Sequence, residues 1–192
     1  MAPTPSTEFS LSAADGRWLV ARARSAIGAR LGLAAADPGP APGAALQRDA
    51  ACFVTLTLAQ QLRGCIGTLN ATEPLCVAVA HYAECAAFDD PRFPPLTAAE
   101  WPRVALEVSV LSPPTPIDAD SESALLAQLQ PGRHGLIIAH GQQRATFLPQ
   151  VWESLPRPAE FLRQLKRKAG LADDFPVAQL ACAMYSVNFF HE

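Results

Sequence analysis

The stretch Leu62-Arg63-Gly64-Cys65-Ile66-Gly67-Thr68 constrains this chain more than any other. It reads as a strand whose backbone is left bare at Gly64 and Gly67. Interior glycines weaken a strand unless a bulge or the close approach of another group uses them. Alternation predicts Arg63 and Cys65 on one face, with Leu62, Gly64 and Ile66 on the other. A guanidinium beside a thiol favours the thiolate, so the spacing can make Cys65 reactive. The competing reading is a small buried cysteine in a tight hairpin.

The flanking segments predict a frame for this strand. Cys52 to Leu58 alternates, with Val54, Leu56 and Leu58 facing one way and Phe53, Thr55 and Thr57 the other. Ala59-Gln60-Gln61 turns the chain without a glycine, which predicts a loop longer than the two-residue type. Thr72-Glu73-Pro74 opens a helix with Leu75, Ala78, Val79, Tyr82 and Ala86 inward. His81 and Cys85 lie one turn apart on it, but two ligands without a third are a weak metal signal. Further upstream, Ser12 and Asp15 form an acidic capping box for a helix to about Leu31. Leu19, Ala23, Ala26 and Ile27 form its inner face, and Arg17 and Arg24 its wet side. Residues 1–11 read as a disordered tail, and the proline–alanine–glycine stretch 34–45 as a mobile loop.

Beyond the helix comes Phe88-Asp89-Asp90-Pro91-Arg92-Phe93-Pro94-Pro95-Leu96, where acid, base and aromatic share a proline-stiffened loop. Function concentrates on such loops, although an Asp90–Arg92 pair that merely fixes the loop fits equally well. Thr97 and Glu100 form a second capping box, for a short helix ending near Trp101-Pro102. Arg103 to Leu111 is the cleanest strand, with Glu107 and Ser109 on the face opposite Val104, Leu106, Val108 and Val110. A carboxylate within so apolar a strand needs a partner if buried; Arg63 and Arg92 are the candidates. After the Pro113–Pro116 connector, Ser121 caps a helix through Gln130. Gly135–His140 and Arg144–Leu148 pair around Gly141, Pro158 opens a further helix, and a last strand runs from about Leu180 to Phe190. Gln60–Cys65 also echoes Gln142–Thr146 with one residue missing, which would place Cys65 and Thr146 at matching positions of a duplicated hairpin–helix unit.

Composition excludes several classes. Of 192 residues, 49% are apolar and 17% charged, the balance of a globular chain, and the net charge of −3 offers no electrostatic case for nucleic acid. The basic group Arg163, Lys166, Arg167 and Lys168 reads as a solvated helix end. Five cysteines, without zinc spacing, point to free thiols in a reducing, cytoplasmic setting. No run approaches the roughly 20 apolar residues of a membrane span, and the N-terminus does not look like a signal peptide. Neither a nucleotide fingerprint nor iron–sulfur spacing occurs, so no cofactor and no metal are expected.

Taken together, the motifs resemble the AMMECR domain family, known in bacteria and archaea as AmmeMemoRadiSam system protein A. Leu62–Gly67 is similar to its signature, Ala87–Leu96 to its second motif and Glu107–Ser112 to its third. Gly135–Ile138 with Thr146–Glu153 is similar to the fourth region, and Glu160–Leu162 and Lys168–Leu171 follow in family order. The resemblance covers about residues 12–190, within a domain placed at 12–192. It implies a compact α+β fold with a mixed, largely antiparallel sheet flanked by helices, to which the internal echo adds two lobes built on a duplicated unit. It also implies association with a Memo-type protein and a radical SAM protein. It implies no reaction. The positions that match motifs are Arg63, Gly64, Cys65, Gly67, Asp90, Arg92, Glu107, Ser109, Thr146 and Trp152.

Three functions fit these residues. In an enzyme, Cys65 is the nucleophile, glycine amides hold an oxyanion, and Glu107 or a histidine such as His134 handles protons. In a binding module, Arg63 and Arg92, with Gly64, Gly67, Asp90, Ser109 and Thr146, hold an anionic small molecule or modified side chain. In a structural or interaction protein, the glycines allow tight packing and Cys65 is inert.

Overall fold

Serine 12 starts the first helix as the sequence predicts. Its hydroxyl accepts the Asp15 amide at 3.1 Å, and the Asp15 carboxylate accepts the Ser12 amide at 2.9 Å. In the computed structural model, which describes residues 11–34 and 36–192, this helix is α1 (Ala13–Arg30). The expected tail over residues 1–10 and Ala35 of the expected loop lie outside the described residues. Within the rest of that loop, the Trp18 indole donates to the Gly39 carbonyl at 3.0 Å, and a single helical turn at Ala44–Gln47 buries Leu46.

The chain divides into two units: residues to Ser112 with Asn188–Glu192, and Pro113–Val187. In the first, β1 (Cys52–Leu58), β2 (Gln61–Gly67), α2 (Leu75–Phe88) and β3 (Val104–Leu111) follow α1. Both β2 and β3 pair antiparallel with β1, which lies between them. The inward set Val54, Leu56, Leu106 and Val108 packs against Leu19, Ala23 and Ile27 of α1 and Ala78, Val79 and Ala83 of α2. Alternation then leaves Thr55, Glu107 and their neighbours on the face away from these helices.

Two local features depart from expectation. The β1–β2 turn has only two residues, Ala59 and Gln60, at φ +51° and +63°. Left-handed turns of this kind match the right-handed twist of the strands, and pairing on both sides holds even non-glycine residues there. The second departure is a bulge. Leu56 pairs with Gly64 but Thr57 with Leu62, so Arg63 is the extra residue and simple alternation fails around it.

The second unit contains β4 (Thr115–Ile117), α3 (Glu122–Leu126), β5 (His134–His140), β6 (Gln143–Phe147), α4 (Val151–Ser154), α5 (Pro158–Lys168) and most of β7 (Ala181–His191). There β4 and β5 flank β7, and β6 pairs with β5. The supposed connector at Pro113–Pro116 thus ends in a strand, because an edge strand tolerates the proline that a central one does not. The helix predicted through Gln130 is α3 alone, ending at Leu126. Lys166 is fully buried rather than solvated, its ammonium paired with Glu122 and donating to the Asp173 carbonyl at 3.1 Å.

The internal echo has a geometric counterpart. Each hairpin closes on a two-residue turn, with Leu58 opposite Gln61 in one and His140 opposite Gln143 in the other. Counting back from these pairs, Cys65 opposes Thr55 at the position where Thr146 opposes Ile137, and the bulged Arg63 is the residue the shorter copy lacks. The fold is α+β with antiparallel strands in both units.

Candidate functional site

The register of the first unit sets Cys65, Thr55 and Glu107 side by side across β2, β1 and β3. The Thr55 hydroxyl donates to the Cys65 sulfur at 3.3 Å. The Ser109 hydroxyl donates to Glu107 Oε1 at 3.1 Å, and His191 Nδ1 lies 3.4 Å from Glu107 Oε2. Thr55, Cys65 and Glu107 are all half-buried. Thr55 is flanked on one side by the row Gly67–Phe53–Ser109 and on the other by Leu62–Thr57–Ala105. Leu62 and Ala105 are exposed whereas Phe53 and Gly67 are half-buried and Ser109 is buried, so the face is more exposed at the turn end.

Cys65 is held from the outside by the proline-stiffened loop. Asp90 accepts the Cys65 amide at 2.9 Å, and Arg92 Nη2 donates to the Cys65 carbonyl at 3.1 Å. Arg92 also grips both oxygens of Asp90, Nε to Oδ1 at 2.9 Å and Nη2 to Oδ2 at 2.6 Å. The acid–base pair takes the place of a further strand on an edge that would otherwise present unpaired backbone groups. Its hydrogen bonds from Arg92 hold the Asp90 carboxyl far below the usual range, against the opposing effect of burial.

Arg63 does something else. Displaced by the bulge, it donates through Nε to Glu100 Oε1 at 2.9 Å and through Nη2 to Oε2 at 3.3 Å, while Nη1 is buried without a hydrogen-bond partner. The Arg63 pairing, with the Thr97 hydroxyl and amide next, lowers Glu100 to about 2. The expectation that alternation sets Arg63 beside the Cys65 thiol is therefore corrected. So is the pairing of Glu107 with Arg63 or Arg92: its neighbours are Ser109 and His191. Arg24, placed on the wet side, stacks on Trp101 at 4.3 Å and pairs with Glu192.

The signature glycines are explained by packing. A side chain at Gly64 would run into the Ala86 carbonyl of α2, and one at Gly67 into Cys52 and Phe53 of β1. Gly64 lets the helix backbone lie against the strand, and Gly67 lets the Phe53 ring fold across it.

The other motif residues belong to the second unit. The Thr146 hydroxyl donates to the Leu136 carbonyl at 2.9 Å and lies 2.9 Å from the Tyr185 hydroxyl, which burial raises to about 12. Trp152 donates to the His134 carbonyl at 2.7 Å and stacks on Phe161. His134 Nδ1 accepts the Gln130 amide at 3.2 Å, and burial lowers its imidazole. These groups are satisfied where they stand. Thr55 and His191 are site-face residues that sequence reading did not single out: Thr55 enters through the register of β1 with both neighbours, and the last strand is expected to end one residue short of His191. His81 Nε2 and Cys85 Sγ are 3.8 Å apart, and no group of three metal-ligating side chains occurs among the described residues.

The fold and this face define an α+β protein with a half-buried row of thiol, hydroxyl and carboxylate on an antiparallel sheet. The AMMECR1 family model matches residues 20–190, and the chain belongs to that family. It is 39% identical over 180 residues to a protein of Thermofilum pendens, covering 85% of this chain and 83% of that one. A protein of Methanothermobacter thermautotrophicus is 37% identical over 190 residues, covering 95% and 96%. The crystal structure of uncharacterized protein PH0010 from Pyrococcus horikoshii is similar with a TM-score of 0.77 and 34% identity, covering 92% of this chain and 91% of that one. Among the described residues, no helix is long and apolar enough to cross a membrane.

Proposed function

We propose that the chain is a binding module whose ligand, a small molecule or a modified side chain, lies on the Cys65–Thr55–Glu107 row. The supporting observation is the register itself, which aligns a thiol, a hydroxyl and a carboxylate on neighbouring strands of one half-buried face. Polar groups drawn from three separate strands converge there, two of them from sequence motifs, whereas packing alone calls for apolar side chains. The Memo-type and radical SAM partners implied by the family resemblance would, in this reading, supply or receive the bound group. The free cysteines favour a reducing, cytoplasmic setting.

The test is labelling of the folded protein with uncharged iodoacetamide, followed by peptide mapping. Cys65 is expected to react while buried Cys52, whose thiol burial and Glu73 push up to about 12, stays protected. Protection of Cys65 equal to that of Cys52 overturns the proposal and favours a purely structural signature.

A second reading, thiol chemistry at Cys65, draws on the Thr55 hydroxyl donated to its sulfur. Glu107 stands two interstrand spacings from Cys65, roughly 10 Å between Cα atoms, so it would act through a ligand or water rather than directly. An alkylation rate for Cys65 that levels off well below the pH at which a free thiol, titrating near ~8.5, does so would favour this reading.

A further inference from the structure

The charges around this face define the class of ligand it accepts, an inference that rests on reading the face as a binding site. The two motif guanidinium groups are each paired with a carboxylate: Arg63 with Glu100, and Arg92 with both oxygens of Asp90. Each has its charge balanced by a carboxylate that lies outside the row. On the face itself, the Glu107 carboxylate is 23% exposed and takes one hydrogen bond, from Ser109. Its other oxygen faces the His191 imidazole, a ring 62% exposed. A carboxylate has about four acceptor sites, so several remain open. The Thr55 hydroxyl directs its O–H at the Cys65 sulfur as a hydrogen-bond donor, which leaves its oxygen as an acceptor.

The row is therefore rich in acceptors and poor in donors. An anion placed there would meet the Glu107 carboxylate in a partly dehydrated setting, which is unfavourable. An ammonium group has the complementary chemistry, with three donors and a positive charge. Thr55 and Glu107 are directly opposed on neighbouring strands, with Cβ atoms about 5 Å apart, close enough for one nitrogen to reach both. We infer that the face selects a small primary-ammonium ligand, its N–H groups shared between the Glu107 carboxylate and the Thr55 oxygen and its body lying towards Cys65. The greater exposure at Leu62 and Ala105 favours approach from the turn end.

Charged thiol reagents test this on the full chain. At pH 8, where imidazoles in general are neutral, Cys65 is labelled with three methanethiosulfonates: 2-aminoethyl (cationic), methyl (uncharged) and 2-sulfonatoethyl (anionic). Rates are read on the Cys65 peptide by mass spectrometry and normalised to those of 2-mercaptoethanol. The normalised ratio of cationic to anionic rate is expected to be roughly tenfold or more, as one nearby charge produces at intermediate dielectric. Glu107→Gln is expected to lower that ratio about fivefold or more. Thr55→Val, which keeps the side-chain shape, should lower it about twofold and covers the case in which Glu107→Gln does not fold. Ordinary reaction with the methyl reagent but a ratio at or below one overturns the inference and leaves the binding reading intact. A ratio unchanged by both substitutions also overturns it. Failure of the methyl reagent to reach Cys65 overturns the binding reading, and the inference with it.

Discussion

The buried carboxylate of Asp90 accepts the backbone amide of Cys65 at 2.9 Å, with only 2% of its side chain exposed. The loop and the edge strand are thus joined at the residue that carries the thiol. Asp90→Ala would leave that amide and Arg92 without their acceptor. Unsatisfied buried groups cost about 1–3 kcal/mol, so the urea midpoint should fall accordingly. Because the loop no longer pins the strand, Cys65 should also alkylate faster with iodoacetamide. A midpoint and labelling rate equal to those of the parent protein would show that the pair is incidental.

Stability should decline in acid through Glu100 as well as Asp90. Both carboxyls titrate below their unfolded values, Glu100 at about 2. The unfolded chain therefore binds more protons as the pH falls below ~4.3, the usual glutamate value, and stability drops towards pH 2. Above that window the contribution is fully present. Glu100→Gln should flatten the stability profile between those limits, measured by urea denaturation at successive pH values; an unchanged slope would exclude Glu100 as a source.

Gly64→Ala is expected to be far more damaging than an exposed glycine substitution. Its new methyl would meet the Ala86 carbonyl, a backbone atom with no rotamer to yield. Overpacking of this kind costs about 1–3 kcal/mol, occasionally more. Thermal unfolding should report the loss, and a Tm within a degree of the parent would mean that α2 moves freely away from β2.

The β1–β2 turn offers the opposite outcome. Ala59 and Gln60 sit at positive φ, where asparagine and glycine are at ease. Ala59→Asn combined with Gln60→Gly should raise stability by about 1–2 kcal/mol, which for a chain of this size is a Tm increase of about 2–8 °C. A fall in Tm would indicate that the native turn residues make contacts worth more than the strain.

Much of the fold was legible because its signals are local. The Ser12–Asp15 capping box, the inner stripe of α2, the alternation of β3 and the Gly141 hairpin each depend on residues within a few positions of one another. The face bearing Glu107 and Ser109 was legible for the same reason, as was the Asp90–Arg92 pair two residues apart. Lys166 was not, since a lysine at a helix end looks solvated until a carboxylate from another helix closes over it.

Sequence alone determined where α1, α3 and α5 begin and that Cys65 lies on a strand beside two glycines. Tertiary structure decided how those residues meet. One bulge moved Arg63 from the thiol to Glu100, because an extra residue in a strand shifts side chains between faces. Register placed Thr55 between Cys65 and Glu107, and the return of the last strand brought His191 to Glu107. Those contacts join positions 10 to 84 residues apart, and no local preference encodes them; they are set by which backbone hydrogen bonds the packed core allows.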